Sequence, residues 1–277
     1  MSESGDRLLV AFVDALGPAQ LESLATRLPW LTQRRGVDGV FGYSSGALAT
    51  VLTGAPPMAH GRMCLFTQRP PEADSVLEPM RWLGLLPRVV HERGRLRRAA
   101  ARWIAAREGL SGYVALHRVP PEAWRWLDLP ERDDLFATES VEGVPTFLAD
   151  ARRAGLRVYA APWQLSEKKR WEHGHAALAR AAPDLAFLYC AELDAALHEG
   201  GPAAIGGFAA LDRIASHLER ARDEMERGGG RVTTILVGDH GMAEVGRAVD
   251  PRPVVRDLQT RFFVDSTMLR LWGDDRA

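Results

Sequence analysis

Apolar residues recur along the chain in short runs that end at a polar or charged residue. Four runs predict buried strands, because each has the length of a strand and a polar or turn-forming residue lies within two positions of its end: residues 8–13, 156–161, 185–190 and 232–237. Amphipathic stretches lie between them, and the longest, residues 202–226, ends at three consecutive glycines. Strands that alternate with helices predict an α/β fold with a mostly parallel sheet sandwiched between helices.

The stretch of residues 67–142 differs from the rest of the chain. It is rich in proline, tryptophan and arginine and has no convincing run for a buried strand. We therefore predict one α/β domain over residues 1–277, with a cap-like insertion at about 67–142. Residues 88–107 contain seven arginines in a helix-like pattern. This run predicts either a solvated helix face or a basic cap that faces the substrate.

The charge balance limits the possible partners. The chain has 35 basic and 36 acidic side chains, a net charge of −1. Without a global positive field, no nucleic-acid polymer is expected as a partner. The first apolar run is too short to cross a bilayer and is interrupted by Asp14, so no membrane span or signal peptide is expected. Cys64 and Cys190 are too isolated for a disulfide framework, which favours a cytoplasmic protein.

Acidic and histidine side chains follow two of the predicted strands. Asp14 follows the first strand, and Asp239 and His240 follow the last one between Gly238 and Gly241. Ligands of open α/β sheets bind beyond the carboxyl ends of the strands, so these residues are candidate metal ligands. The structural alternative for a strand-terminal aspartate is a turn residue.

Two further motifs carry candidate chemistry. Ser44 precedes a helix-like segment, where a helix N-terminus favours an attacked phosphate. Asp194 and His198 are four residues apart, which places both on one helix face at a spacing suited to a divalent metal. The structural alternatives are a helix N-cap for the serine and an ordinary polar pair for Asp194 and His198.

The order of these motifs is the strongest signal in the sequence. It runs from Asp14 to a hydroxyl nine residues before Thr53-Gly54, then to Pro57-Met58-Ala59-His60-Gly61, the D-x-x-x-H of Asp194 and His198, and Asp239-His240-Gly241-Met242. In this order, over about residues 8–242, the chain resembles the type I phosphodiesterase/nucleotide pyrophosphatase branch of the alkaline phosphatase superfamily.

The resemblance implies a metal-dependent hydrolase of phosphate esters, most simply a phosphodiesterase with a small-molecule substrate. Ser44 would be the nucleophile that forms a phosphoseryl intermediate. It lies nine residues before Thr53, which is the spacing of the family, whereas Ser45 lies one residue too close. The family implies two divalent metal ions, usually zinc. One would be held by Asp14, Ser44, Asp239 and His240, and the other by Asp194, His198 and a histidine that follows the D-H-G motif.

The sequence departs from the family pattern at two places. No histidine follows His240, so the second metal site is predicted to lack its third ligand and the chain to be truncated at its C-terminus. Leu65 stands where nucleotide pyrophosphatases place an oxyanion-stabilising asparagine. The alternative function is a non-catalytic metal- and phosphate-binding domain, or an inactive fragment. Of the other histidines, His60 is expected to be structural, and His173 and His175 are expected to face water.

Overall fold

A computed structural model describes most of the chain. It covers residues 5–69, 75–87, 89, 93–113, 116–119, 123–124, 126–181, 183–257, 260–265 and 267–273. The chain forms two compact units. The first consists of Met1–Leu65 and Asp133–Glu244, and the second of Phe66–Arg132 and Val245–Ala277.

The described elements alternate between strands and helices along most of the chain. In chain order the strands are β1 (Arg7–Val13), β2 (Thr67–Gln68), β3 (Leu127–Asp128), β4 (Ser140–Val141), β5 (Val144–Pro145), β6 (Val158–Ala160), β7 (Leu185–Cys190), β8 (Val232–Val237), β9 (Arg261–Asp265) and β10 (Met268–Trp272). The α-helices are α1 (Pro18–Ala25), α2 (Ser44–Thr53), α3 (Pro57–His60), α4 (Gly94–Arg107), α5 (Phe147–Arg153), α6 (Glu167–Ala181), α7 (Glu192–Gly200), α8 (Ile205–Arg227) and α9 (Arg252–Arg256). Two 3₁₀ helices span Glu78–Leu85 and Leu116–Arg118.

The first unit is built on a four-stranded parallel sheet in the order β6-β7-β1-β8. In the parallel ladders Phe12 of β1 pairs with Tyr189 of β7 and with Val237 of β8. The carboxyl ends of these three strands therefore meet at one edge of the sheet. The predicted α/β fold with a central parallel sheet flanked by helices is confirmed.

Both faces of the sheet are covered by helices, because β1 sends alternate apolar side chains to opposite sides. Leu9, Ala11 and Val13 pack in one core cluster with side chains of α1, α6, α7 and α8. Val10 and Phe12 pack in the other with side chains of α2 and α5. Both faces of β1 are therefore buried between layers of helices. For this reason its sequence is a continuous apolar run rather than an alternation of apolar and polar residues.

The strand predicted at 156–161 is shorter in the structure. Gly155 has a left-handed φ of 79°, and the Leu156 amide donates a hydrogen bond to the Ala151 carbonyl at 3.0 Å. Leu156 therefore completes the C-terminal cap of α5 instead of starting the strand, and β6 begins at Val158.

A buried hydrogen-bonded chain joins α6 to α8. His175 Nδ1 lies 2.8 Å from Glu224 Oε2, and His175 Nε2 lies 3.0 Å from His217 Nδ1. The ring of Trp171 stacks on that of His217, with 4.5 Å between their centroids. His175 is only 4% exposed, so the expectation that it faces water is wrong, while His173 is exposed as expected. Glu224 supplies the acceptor that makes burial of His175 tolerable.

The second unit has its own small core. Phe66, Leu77, Met80, Ile104 and Trp124 of this unit are almost fully buried, and short antiparallel pairs form between β2 and β3 and between β9 and β10. The arginine-rich α4 begins at Gly94, and its arginines at positions 95, 98, 102 and 107 are exposed, as the solvated-face alternative predicts. Arg88 lies outside the described residues. The single-domain boundary and the cap-like insertion at about 67–142 remain predictions. Among the described helices, none is both long and apolar enough to cross a lipid bilayer.

Candidate active site

The predicted site residues occupy the carboxyl edge of the sheet in the first unit. Asp14 directly follows β1, and Asp239 and His240 follow β8. Asp194 lies in the first turn of α7, just beyond the end of β7. Ser44 is the first residue of α2. Four of the six predicted residues, Asp14, Asp194, Asp239 and His240, therefore follow strands that the parallel ladder brings to the same edge.

The turns after β1 and β8 lie in close contact. A side chain at Gly238 would overlap the carbonyl oxygen of Leu16, so only glycine permits this approach. Ala15 has a left-handed φ of 62°, a conformation that costs a non-glycine residue about 1–2 kcal/mol. Its amide donates a hydrogen bond to Asp239 Oδ1 at 3.0 Å. The strained turn thus joins the ends of the two strands through the Asp239 carboxylate.

Ser44 is positioned by glycines on either side of it. Gly42 has φ 138°, and a Cβ there would lie 2.7 Å from the Met63 carbonyl oxygen. A Cβ on Gly46 would lie 2.5 Å from the carbonyl oxygen of Arg62. The first turn of α2 therefore rests directly on the backbone of residues 62–63.

The same turn is supported by His60, which is fully buried. The Arg62 amide donates to His60 Nδ1 at 3.2 Å, so the other ring nitrogen, Nε2, carries the proton that it shares with Thr50 Oγ1 at 2.9 Å. Thr50 in turn donates to the Gly46 carbonyl at 3.0 Å. These bonds fit the structural role expected for His60 from the sequence.

The Ser44 hydroxyl contacts two groups that can accept its proton. Its Oγ lies 3.2 Å from Asp14 Oδ1 and 3.1 Å from His240 Nε2. His240 Nδ1 lies 2.8 Å from the Gly241 carbonyl, which can only accept, so the lone pair of the neutral ring is on Nε2. By contrast, Ser45 Oγ is buried and has no hydrogen-bond partner among the described residues.

Asp194 reaches the same cluster, whereas His198 lies at its margin. One ligand atom each from Asp14, Asp194 and His240 lie within 4.8 Å of one another. His198 Nε2 lies 3.3 Å from Asp194 Oδ1, and the His198 side chain is 67% exposed. In the part of the chain that the structure describes, His198 joins no group of three possible ligands. The two predicted ligand sets are therefore contiguous, and the second has no third protein ligand there.

The comparison with protein families agrees with this geometry. The family model for type I phosphodiesterase/nucleotide pyrophosphatase matches residues 43–275. This chain belongs to that family. The membership expected from the motifs, and with it the alkaline phosphatase superfamily, is confirmed. Asp14 precedes the matched residues. A search of curated proteins found no match.

Type I phosphodiesterases and nucleotide pyrophosphatases are metal-dependent hydrolases of small phosphate esters, and the electrostatics of this site fit a cation. Burial, followed by the charges of Asp239 and Asp194, raises the pKa of Asp14 from 3.8 to about 7. Burial also raises the pKa of Asp194. Burial lowers the pKa of His240, but Asp239 and the other acidic groups outweigh it, so the pKa lies above its ordinary value. Burial and the charge of Asp239 disfavour the ionised forms of Asp14 and Asp194, and a bound cation would offset that cost.

Two unsatisfied atoms point to the same conclusion. Asp239 Oδ2 and Asp194 Oδ1 are buried and accept no well-aligned hydrogen bond from the described residues, although an imidazole nitrogen lies 3.4 Å from the first and 3.3 Å from the second. A buried carboxylate oxygen without a donor is costly, and a bound cation removes that cost. Carboxylate oxygens with an imidazole nitrogen form a donor set that suits zinc and similar divalent ions.

Sequence reasoning assigned no role to Tyr189, although its hydroxyl lies 3.0 Å from Asp14 Oδ2. A tyrosine near the carboxyl end of an otherwise apolar strand was the available signal. The predicted departure at Leu65 concerns a buried residue, 8% exposed, whose side chain offers no hydrogen-bond donor.

Proposed function

We propose that the chain is a phosphodiesterase that cleaves small phosphate esters through a phosphoseryl intermediate on Ser44. The observation that carries this proposal is the placement of Ser44 Oγ 3.2 Å from Asp14 Oδ1 and 3.1 Å from His240 Nε2, at the start of a helix. A helix N-terminus has unpaired amides and a partial positive charge, which suit the phosphate of a substrate.

The site residues support a two-step displacement. Ser44 Oγ gives up its proton to solvent and attacks phosphorus, and the bond from phosphorus to the leaving oxygen breaks. The leaving group takes up a proton, and water then attacks the phosphoserine, which releases phosphate monoester and restores the serine.

The family and the donor set support a dependence on divalent metal, which we propose to be zinc. Asp14, Ser44, Asp239 and His240 would hold one ion, and Asp194 and His198 would contribute to a second. A divalent cation there would supply a Lewis acid that lowers the pKa of the serine hydroxyl and neutralises negative charge. We also infer a reducing, cytoplasmic compartment, because Cys64 and Cys190 are buried and form no disulfide.

The alternative is a domain that binds metal and phosphate without turnover. This alternative is favoured by the exposure of His198, and by the fact that the site of Asp194 and His198 has no third ligand among the described residues. Under this alternative the cluster around Asp14 would still bind one ion.

A pair of adjacent serine variants tests the proposal. With zinc present, Ser44→Ala should abolish hydrolysis of a chromogenic aryl phosphodiester, whereas Ser45→Ala should retain much of it. Acid quenching during turnover should trap phosphate on the peptide that contains Ser44, as read by mass spectrometry. Equal loss from the two substitutions would refute the assignment of the nucleophile. Metal binding without turnover by the unchanged protein would favour the binding domain.

A further inference from the structure

The two oxygens of Asp14 have different surroundings. Oδ1 lies 3.2 Å from Ser44 Oγ and 3.4 Å from His240 Nε2. Oδ2 accepts a hydrogen bond from the Tyr189 hydroxyl at 3.0 Å. The Asp14 amide is also bonded to the Cys190 carbonyl at 2.9 Å, so the backbone of the residue is fixed by the ladder. Rotation of the carboxylate about its terminal bond is then the main remaining freedom of this side chain.

Tyr189 is itself held in one position. Its ring packs against Phe12, with 5.9 Å between centroids, and against Phe136, with 5.8 Å. The guanidinium carbon of Arg170 lies 5.1 Å from the centroid of the same ring. The Arg170 side chain is only 10% exposed and donates to the carbonyl of Leu165 at 2.7 Å. The phenol hydroxyl is therefore a fixed donor rather than a mobile one.

We propose that Tyr189 is a positioning residue, which holds the Asp14 carboxylate so that Oδ1 faces Ser44 and the metal while Oδ2 is occupied. This role rests on the proposed function of the site. Without the hydroxyl, repulsion from Asp239 and Asp194 would be free to rotate the carboxylate away from Ser44. Hydrogen bonds from outside the ligand set commonly orient ligating carboxylates in this way.

The structure offers a matched control on the neighbouring strand. Tyr159 of β6 also has a buried hydroxyl, but that hydroxyl has no hydrogen-bond partner among the described residues. Tyr159→Phe and Tyr189→Phe therefore remove the same atom from the same sheet, and only the second removes a bond to Asp14. Both keep the aromatic ring and its packing.

The experiment measures zinc affinity by competition with a chromophoric chelator, and the visible absorption of the cobalt-loaded protein. Tyr189→Phe should weaken zinc binding by about 10–100-fold, change the cobalt spectrum, and lower kcat more than it raises KM. Tyr159→Phe should leave zinc affinity and the cobalt spectrum as in the unchanged protein. A purely structural role for Tyr189 would alter thermal stability but not the cobalt spectrum of the loaded protein.

Two results would overturn the proposal, and they differ from each other. If Tyr189→Phe binds zinc as tightly as Tyr159→Phe with an unaltered cobalt spectrum, the positioning role is wrong while the proposed function stands. If the unchanged protein binds no metal, the proposed function fails, and the role of Tyr189 fails with it.

Discussion

From the acid cluster we predict that the metal-free protein loses stability as the pH rises from about 4 to about 7, and that Asp14 is a main cause. Asp14 is 5% exposed, and burial with the charges of Asp239 and Asp194 raises its pKa from 3.8 to about 7. A group whose pKa is raised on folding contributes stability that is complete below its unfolded pKa and is lost as the pH rises through its folded pKa. The full difference corresponds to about 4 kcal/mol, of which roughly 2–3 kcal/mol falls between pH 5 and pH 8.

Asp14→Asn isolates this contribution, because the amide keeps the shape of the side chain and an oxygen for Tyr189 but cannot ionise. Urea denaturation of chelator-treated protein at pH 5, 6, 7 and 8 gives the free energy of unfolding at each pH. The curve of the variant should be flatter than that of the unchanged protein by roughly 2–3 kcal/mol over this range. Because Asp14 itself contributes to the raised pKa of His240, the difference between the curves reports Asp14 together with its coupling to His240. Parallel curves would show that the pKa of Asp14 is not raised on folding. Zinc should restore the stability of the unchanged protein at pH 8 but not that of the variant.

Three further predictions follow from single contacts. Gly238→Ala should lower the free energy of unfolding by about 1–3 kcal/mol and weaken zinc binding, because the new methyl overlaps the Leu16 carbonyl; Gly36→Ala, which meets nothing within 4 Å, is the matched control in thermal melts. Glu224→Ala should cost about 1–3 kcal/mol in urea denaturation, since it leaves a buried ring N–H without an acceptor, yet leave kcat unchanged. His198→Ala should leave one tightly held ion per chain after exhaustive dialysis, as counted by atomic absorption; two tight ions in the unchanged protein, reduced to one in the variant, would contradict the weak second site.

The location of the site at the carboxyl edge of the sheet could be predicted from the sequence, because the strands are short apolar runs in a parallel sheet. Once β1 and β8 are predicted, residues that follow them must meet at the same edge, which brings Asp14 near Asp239. The glycines around Asp239 and His240 indicate close backbone approach, and Gly238 does lie against Leu16. Local rules suffice for these features, since each depends on neighbours in the chain or in the ladder.

The remaining features depend on pairings between distant residues. Burial of His175 requires Glu224, and nothing near His175 in the sequence indicates a partner on α8. Likewise, the sequence near Asp194 indicates only an i,i+4 pair with His198. The approach of Asp194 to His240 depends on the direction of α7 relative to β7, which the local sequence does not specify. The left-handed conformation of Ala15 could not be predicted from backbone propensity either, because alanine rarely adopts it. Ala15 is held in that conformation by its hydrogen bond to Asp239. In each case tertiary contacts override the local preference.

Asp14 lies outside the residues that the family model matches, but strand pairing places it beside residues that the model does match. The match begins after Asp14 and includes Asp239, yet β8 pairs only with β1 in the described sheet. Phe12 is opposite Val237, so the residues two positions further along these parallel strands are Asp14 and Asp239, which must lie side by side. Two neighbouring buried carboxylates repel, and a bound cation would offset both that repulsion and the cost of burying Asp14. The register of two apolar strands therefore places Asp14 beside the matched motif, and the repulsion that results is the physical reason why this site should bind metal.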